Sequence, residues 1–133
     1  MKKTLPLLSL LLTLALTLCF TACAPQQPQS TDSDTPAKAV TITVDVVGSD
    51  GNTTTFTIET SHKYLRGALE QENLVTGDES TYGLYIKTVN GELADYNVNG
   101  AYWAVYEGDT QAMTGVDEIE LTDGGHYKLV YTK

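Results

Sequence analysis

Val40-Thr41-Ile42-Thr43-Val44-Asp45-Val46, then Ser49-Asp50-Gly51-Asn52, then Thr54, Phe56 and Ile58 form the stretch that decides the fold. Apolar residues at every second position, with threonine and aspartate between them, have the two-residue period of a half-buried strand. The Ser-Asp-Gly-Asn cluster is turn chemistry, and the alternation resumes beyond it, so the pair predicts a β-hairpin. Further on, Ser61 is a candidate cap for a helix in which Leu65, Ala68 and Leu69 fall at i, i+3 and i+4. Gly67 weakens that helix by about 1 kcal/mol relative to alanine, and Gly77 marks its exit. Leu84 and Ile86 open another strand ahead of the Asn90-Gly91 turn signal. Ala101 to Glu107, Ile119 to Leu121 and Tyr127 to Thr132 read as further strands, with turns at Gly108-Asp109 and Asp123-Gly124-Gly125. A hairpin, one helix and three or more strands predict an α+β domain of β-grasp-like order over residues 40–133.

Upstream of Val40 the composition changes. Ala24 to Ala39 reads APQQPQSTDSDTPAKA, with three prolines and almost nothing apolar, the composition of a disordered tether. Before it, Lys2 and Lys3 precede an apolar run from Leu5 to Leu18, and Phe20-Thr21-Ala22-Cys23 places small residues ahead of a cysteine. This is the layout of an export signal, and it resembles a lipoprotein processing site with Cys23 as the lipidated residue. Cys19 follows Leu18, which is too large for such a site. The apolar run is shorter than the roughly 20 residues that span a bilayer. The expected organisation is a signal peptide over residues 1–22, lipidated Cys23 with its linker over 23–39, and a domain over 40–133. The expected location is the cell membrane, facing away from the cytoplasm.

With 8 Lys+Arg against 17 Asp+Glu in 133 residues, the net charge is −9. No basic patch exists to neutralise phosphates, which argues against a nucleic-acid partner. The leader carries two lysines and no acid, so the chain behind it is more acidic still. An anionic membrane surface repels such a body, and the lipid does the holding. Both cysteines lie in the first 23 residues, so the domain has no disulfide or thiolate metal site. His62 and His126 stand apart from any nucleophile motif, and no G-x-S-x-G occurs. Neither a catalytic set nor a metal site is expected. Asp117-Glu118 and Glu120, interleaved with Ile119 and Leu121, read as the wet side of a strand. Asp95-x-Asn97-x-Asn99-Gly100 matches the start of an EF-hand loop, but Tyr106 stands at the twelfth position, where a bidentate glutamate is needed. The plainer reading is an Asn/Gly turn.

Tyrosine is distributed unevenly. All eight, with the single tryptophan, lie between Tyr64 and Tyr131, a region without phenylalanine. In Ala101-Tyr102-Trp103-Ala104-Val105-Tyr106-Glu107, Tyr102 and Tyr106 share one face and Trp103 and Val105 the other. One face points to the core and the other to the surface. Tyrosines combine flat apolar area with a hydroxyl at small entropic cost, which suits recognition; they also have high β-propensity.

The run from Gly100 to Asp109, the following Met113-Thr-Gly-Val-Asp and Leu121-Thr-Asp-Gly, and the upstream Leu65-Arg-Gly-Ala-Leu and Tyr82-Gly-Leu-Tyr-Ile-Lys resemble the small C-terminal domain of transcobalamin and intrinsic factor. That domain also occurs in bacterial lipoproteins of unknown function. The resemblance implies a β-grasp-like fold and an edge facing a corrinoid such as cobalamin. Tyr102, Trp103 and Tyr106 on the strand, with Gln111 and Met113 in the loop after it, stand at the matching ligand-binding positions. The larger helical domain of the vitamin carriers has no counterpart here, so the implied site is half of one, completed by a partner protein. A surface or adhesion module that contacts protein or wall glycan is the reading of a different class.

Overall fold

The computed structural model describes residues 38–133; Cys19, Cys23, the leader and the linker up to residue 37 lie outside the described residues. Strand β1 (Val40–Val47) and strand β2 (Thr53–Thr60) pair antiparallel, Val44 opposite Phe56 and Ile42 opposite Ile58, as the alternation requires. Their turn closes where expected, with Gly51 at φ 77° in a left-handed conformation that glycine adopts without strain.

Helix α1 (Leu65–Gln71) buries Leu65, Ala68 and Leu69, the three residues at helical spacing. Ser61 does not cap it. The N-cap is Tyr64, whose side chain makes no capping bond, and the orphan N–H groups find backbone instead. Leu65 N donates to Ile119 O at 2.9 Å and Arg66 N to Val116 O at 3.0 Å. A helix start held by a distant loop leaves no trace in the local sequence. Gly67 has a packing role: a Cβ there would lie 2.4 Å from the His62 ring.

Gly77 is not the helix exit. The chain leaves α1 through Asn73 at φ 53° and enters strand β3 (Val75–Ser80), which pairs antiparallel with strand β4 (Gly83–Val89). Gly77 lies at the irregularity in that pairing. Strand β5 (Glu92–Leu93) follows the Asn90-Gly91 turn and completes a three-stranded sheet in the order β3-β4-β5. Short helix α2 (Tyr96–Asn99) leads into strand β6 (Tyr102–Glu107), strand β7 (Thr110–Gln111) and strand β8 (His126–Thr132). Ile119 to Leu121 does not form a strand. Only a single bridge, Glu120 to Tyr64, is made there, and it fastens the loop to the helix start.

The larger sheet runs β2-β1-β8-β6-β7. β1 and β8 are parallel at its centre, with Val44 beside Tyr127 and Val46 beside Leu129; every other pair is antiparallel. Ile42, Val44, Val46, Ile58, Tyr127, Leu129 and Trp103 share the face that packs with α1, Val89, Val116 and Ile119 in one core. The fold is α+β and rich in strand. Among the described residues, no helix is long and apolar enough to cross a membrane.

Candidate functional site

Strand alternation and pairing decide the two faces of β6. Trp103 stands opposite Tyr131 and Val105 opposite Leu129, so this pair of residues faces the core. Trp103 is 6% exposed and meets the Tyr131 ring edge-on at 5.6 Å between centroids. Tyr102 and Tyr106 take the opposite, open face, where Tyr102 is 40% exposed and Tyr106 stands opposite Lys128.

β6 is covered along only part of its outer edge. β7 pairs with Tyr106 and Glu107, and Ala112 N adds a 2.8 Å bond to Val105 O. Beyond that point the chain turns away, and a cleft of about 230 Å³ opens between β6 and β4. Leu84, Tyr85 and Ile86 form one wall, Tyr102 to Val105 the other, and Gln111, Ala112 and residues 114–116 the rim. The wall is mostly apolar, and the phenols of Tyr85 and Tyr102, both partly exposed, stand among its lining. The Trp103 indole Nε1 is buried and has no hydrogen-bond partner. Burying an unpaired donor costs roughly 1–3 kcal/mol, and native cores carry few of them.

The rim is anchored by charge. Arg66 on α1 holds Asp117 at 2.8 Å and Glu70 at 2.8 Å, and also pairs with Glu79 on β3. The three carboxylates, Glu79 foremost, push the guanidinium further up from its already high ordinary value. The second oxygen of Asp117 accepts the Leu84 N–H at 2.8 Å, tying the 116–118 turn to the cleft wall. Burial pushes the Asp117 carboxyl up, but Arg66 and the Leu84 N–H outweigh it and leave the carboxyl below its ordinary value. Asp117 is therefore a structural clamp and not the wet side of a strand.

Of the five residues singled out in the sequence, Tyr102, Trp103 and Gln111 line the cleft. Trp103 does so from the core side, not as a surface platform. Tyr106 lies beyond the cleft on the open face, and Met113, 96% exposed, projects from the rim without lining it. Leu84, Tyr85 and Ile86 were missing from that set; the Tyr-x-x-Tyr-Ile run was their only local sign. The open face around Tyr106 has its charges internally paired. Asp45 accepts from the Thr55 hydroxyl at 2.6 Å and meets His126 Nε2 at 2.7 Å, while Lys128 pairs with Asp109 at 2.6 Å.

The Asp95–Gly100 run is a capped turn. Asp95 Oδ1 accepts the Asn97 N–H at 3.0 Å, its other oxygen pairs with Lys87 at 3.1 Å, and Asn99 Oδ1 accepts from both Asp95 N and Ala101 N. Gly100 closes α2 in the left-handed region. These oxygens are already engaged, and among the described residues no group of three His, Cys, Asp or Glu side chains is arranged to hold a metal ion.

Comparison with known proteins sets this geometry in a family. A crystal structure from Ruminococcus gnavus ATCC 29149, described as a "putative metal binding protein", is 36% identical, covers 71% of this chain and 97% of its own, and superposes with a TM-score of 0.68. Haptocorrin in complex with Cbi is 16% identical and shares the fold at a TM-score of 0.62. The match covers 72% of this chain but only 25% of haptocorrin. No curated protein matches the sequence. Residues 62–132 match the model of the family described as domain of unknown function (DUF4430), and the chain belongs to that family.

Proposed function

We propose that the protein is a non-catalytic binding module of β-grasp type, held to the outer face of the cell membrane by lipid on Cys23. In this reading it takes one edge of a flat ligand of the corrinoid class in the β4–β6 cleft. The observation that carries it is the cleft itself, an apolar slot with phenols in its walls, placed where the larger sheet loses its edge partner. Its likeness in fold to haptocorrin supports the ligand class.

Size makes the site a partial one. Cavities that enclose a drug-sized ligand run to roughly 300–1,000 Å³, and this cleft holds about 230 Å³. It accommodates the rim of a ring and not the whole of it. One ring face buries on the order of 250 Å² of apolar area, or about 6 kcal/mol at 25 cal/mol per Å². Association alone costs on the order of 4–15 kcal/mol. The module by itself is therefore a weak binder, and a partner covers the other face.

The test is a titration of the protein with cobinamide and with cobalamin, read by corrin absorbance and by Trp103 fluorescence. Saturable changes that weaken in Tyr102→Ala support the proposal; no change at several hundred micromolar removes it. The open face, with Tyr106 beside Lys128 among threonines, is the surface an adhesion module would use. Wall glycan that binds and is lost with Tyr106→Ala would favour that second reading.

A further inference from the structure

The two sheets end on β2 and β7 in the larger and on β3 and β5 in the smaller. An open strand edge is a template for another chain, and proteins blunt it with short length, charge, proline or a bulge. β5 and β7 are two residues each, and β3 carries Asp78, Glu79 and a shift of register between Thr76 and Gly77. β2 has none of these devices. Its eight residues pair with β1 without interruption, and Thr53 to Ile58 include neither charge nor proline. From Thr53 to Thr57 every residue but Phe56 is exposed.

The hydrogen bonds of β1 tell which main-chain groups of β2 are free. Thr43 N donates to Gly125 O at 2.8 Å, and Thr41 O accepts from Gly124 N at 2.7 Å, both on the side away from β2. Residues that face each other across an antiparallel pair without bonding both turn their main-chain groups outward. Thr57, opposite Thr43, and Glu59, opposite Thr41, therefore address the free edge, and by alternation so do Thr55 and Thr53. The Glu59 carbonyl is taken by Gln71 Nε2 at 3.0 Å. Among the described residues, nothing bonds the outward N–H and C=O of Thr53, Thr55 and Thr57.

That free set reads the same in either direction about Thr55. A second copy turned by a two-fold axis matches it, Thr55 to Thr55 and Thr53 to Thr57, each pair exchanging both of its N–H···O bonds. Such a contact is self-complementary and closes. Threonine then stands opposite threonine on the open face, a favourable cross-strand pair. Charge points to the same strip. The chain carries −9, so two copies repel over most of their surface, and Thr53 to Ile58 is an uncharged run along which their main chains can meet. We propose that the protein self-associates through β2, two copies joining antiparallel about Thr55 to make one continuous sheet. Contact along one strand lies at the small end of interface sizes, below about 1,200 Å², so the pair is a weak one that covalent capture detects. β2 and β7 are opposite ends of the larger sheet, so the β4–β6 clefts stay open and the pairing is independent of what they bind.

The experiment is disulfide capture on the full chain in detergent at high micromolar concentration. Cys19→Ser and Cys23→Ser are present throughout, so that an added thiol is the only one. Residues opposite each other in a bonded antiparallel pair have Cα atoms about 5.5 Å apart, within disulfide reach. Thr53 and Thr57 each lie well off register from their own counterparts, beyond the limit of about 7 Å. Thr55→Cys should therefore give at least about tenfold more covalent dimer than Thr53→Cys or Thr57→Cys alone, and mixing the last two should restore capture. Circular dichroism checks that each variant is folded, and maleimide labelling checks that each thiol is accessible. Comparable yields from all three positions, a mixture no better than its parts, or a folded and labelled Thr55→Cys chain that stays monomeric would each overturn the proposal.

Discussion

Replacing Gly77 with alanine should damage the domain more than its exposed position suggests. A Cβ on Gly77 would lie 1.9 Å from the Tyr85 carbonyl oxygen and 2.8 Å from its carbonyl carbon. Both are backbone atoms, so no side-chain rotation relieves the clash, and β3 and β4 must part by more than 1 Å at their irregular register. Overpacking of this kind costs typically 1–3 kcal/mol and occasionally more; a rigid obstacle places Gly77→Ala at the upper end, about 3 kcal/mol. For a domain of this size each kcal/mol moves the midpoint by roughly 4–8 °C, so Tm should fall by about 12–24 °C. Gly51→Ala is the control. Its φ of 77° disfavours a side chain, but nothing lies within 4 Å, so the cost is confined to backbone strain of about 1–2 kcal/mol. Thermal unfolding followed by circular dichroism measures both. A Gly77→Ala midpoint no lower than that of Gly51→Ala would refute the claim that β3 presses on the cleft wall. Since Tyr85 and Ile86 form that wall, the variant should also lose ligand at temperatures where it is still folded.

Asp95→Ala removes the cap of α2 and one of the two carboxylates that pair with Lys87, Asp78 being the other, and should cost about 1–2 kcal/mol in urea unfolding; calorimetric titration of the unaltered protein with millimolar Ca²⁺ should show no heat. Asp45, Asp95 and Asp117 all ionise more readily than free carboxylates. For Asp45 the Thr55 hydroxyl is the main cause, for Asp95 it is Lys87, and for Asp117 the ion pair and amide outweigh burial. Their contribution is therefore complete above the ordinary aspartate value near 3.8 and is lost as pH falls through the lower folded values. Urea midpoints should be flat from pH 7 to 5 and drop below about 4; a steady decline beginning near pH 6 would contradict this. Met113→Ala, at an exposed rim position, should change stability by less than about 0.5 kcal/mol and leave corrinoid titrations unaltered. Tyr102→Ala should be similarly mild for folding but weaken the titration.

Local pattern carried the hairpin, the apolar stripe of α1 and the Asn90-Gly91 turn, because each is a short-range solution to burying one face. It failed where a distant segment sets the local structure. β3 has five of its six residues exposed, and after Val75 and Thr76 it continues as Gly77, Asp78, Glu79 and Ser80, types that disfavour a strand; its pairing with β4 makes it one. Ile119 to Leu121 has the alternation of a strand but lacks a neighbour of sufficient length, and its Ile119 carbonyl and Leu121 N–H are spent on the helix start, on Leu65 N and Lys63 O. The same limit applies to the site. Alternation showed that Trp103 and Tyr102 look opposite ways, but only the pairing with β8 tells which of them faces the core. The cleft itself arises between two sheets, so no window of sequence contains both of its walls.

The parallel contact between β1 and β8 joins residues about 80 positions apart, which has a bearing on how the molecule reaches its native state. A nascent polypeptide emerging from its first residue onward makes the β1–β2 ribbon early, yet the middle of the five-stranded layer stays vacant until His126 to Thr132 arrive. Seating that final segment is a long loop closure, so maturation should be slow and all-or-none. Until then Val44 and Val46 lie bare along one flank, an invitation to chaperones during transit and to aggregation without them.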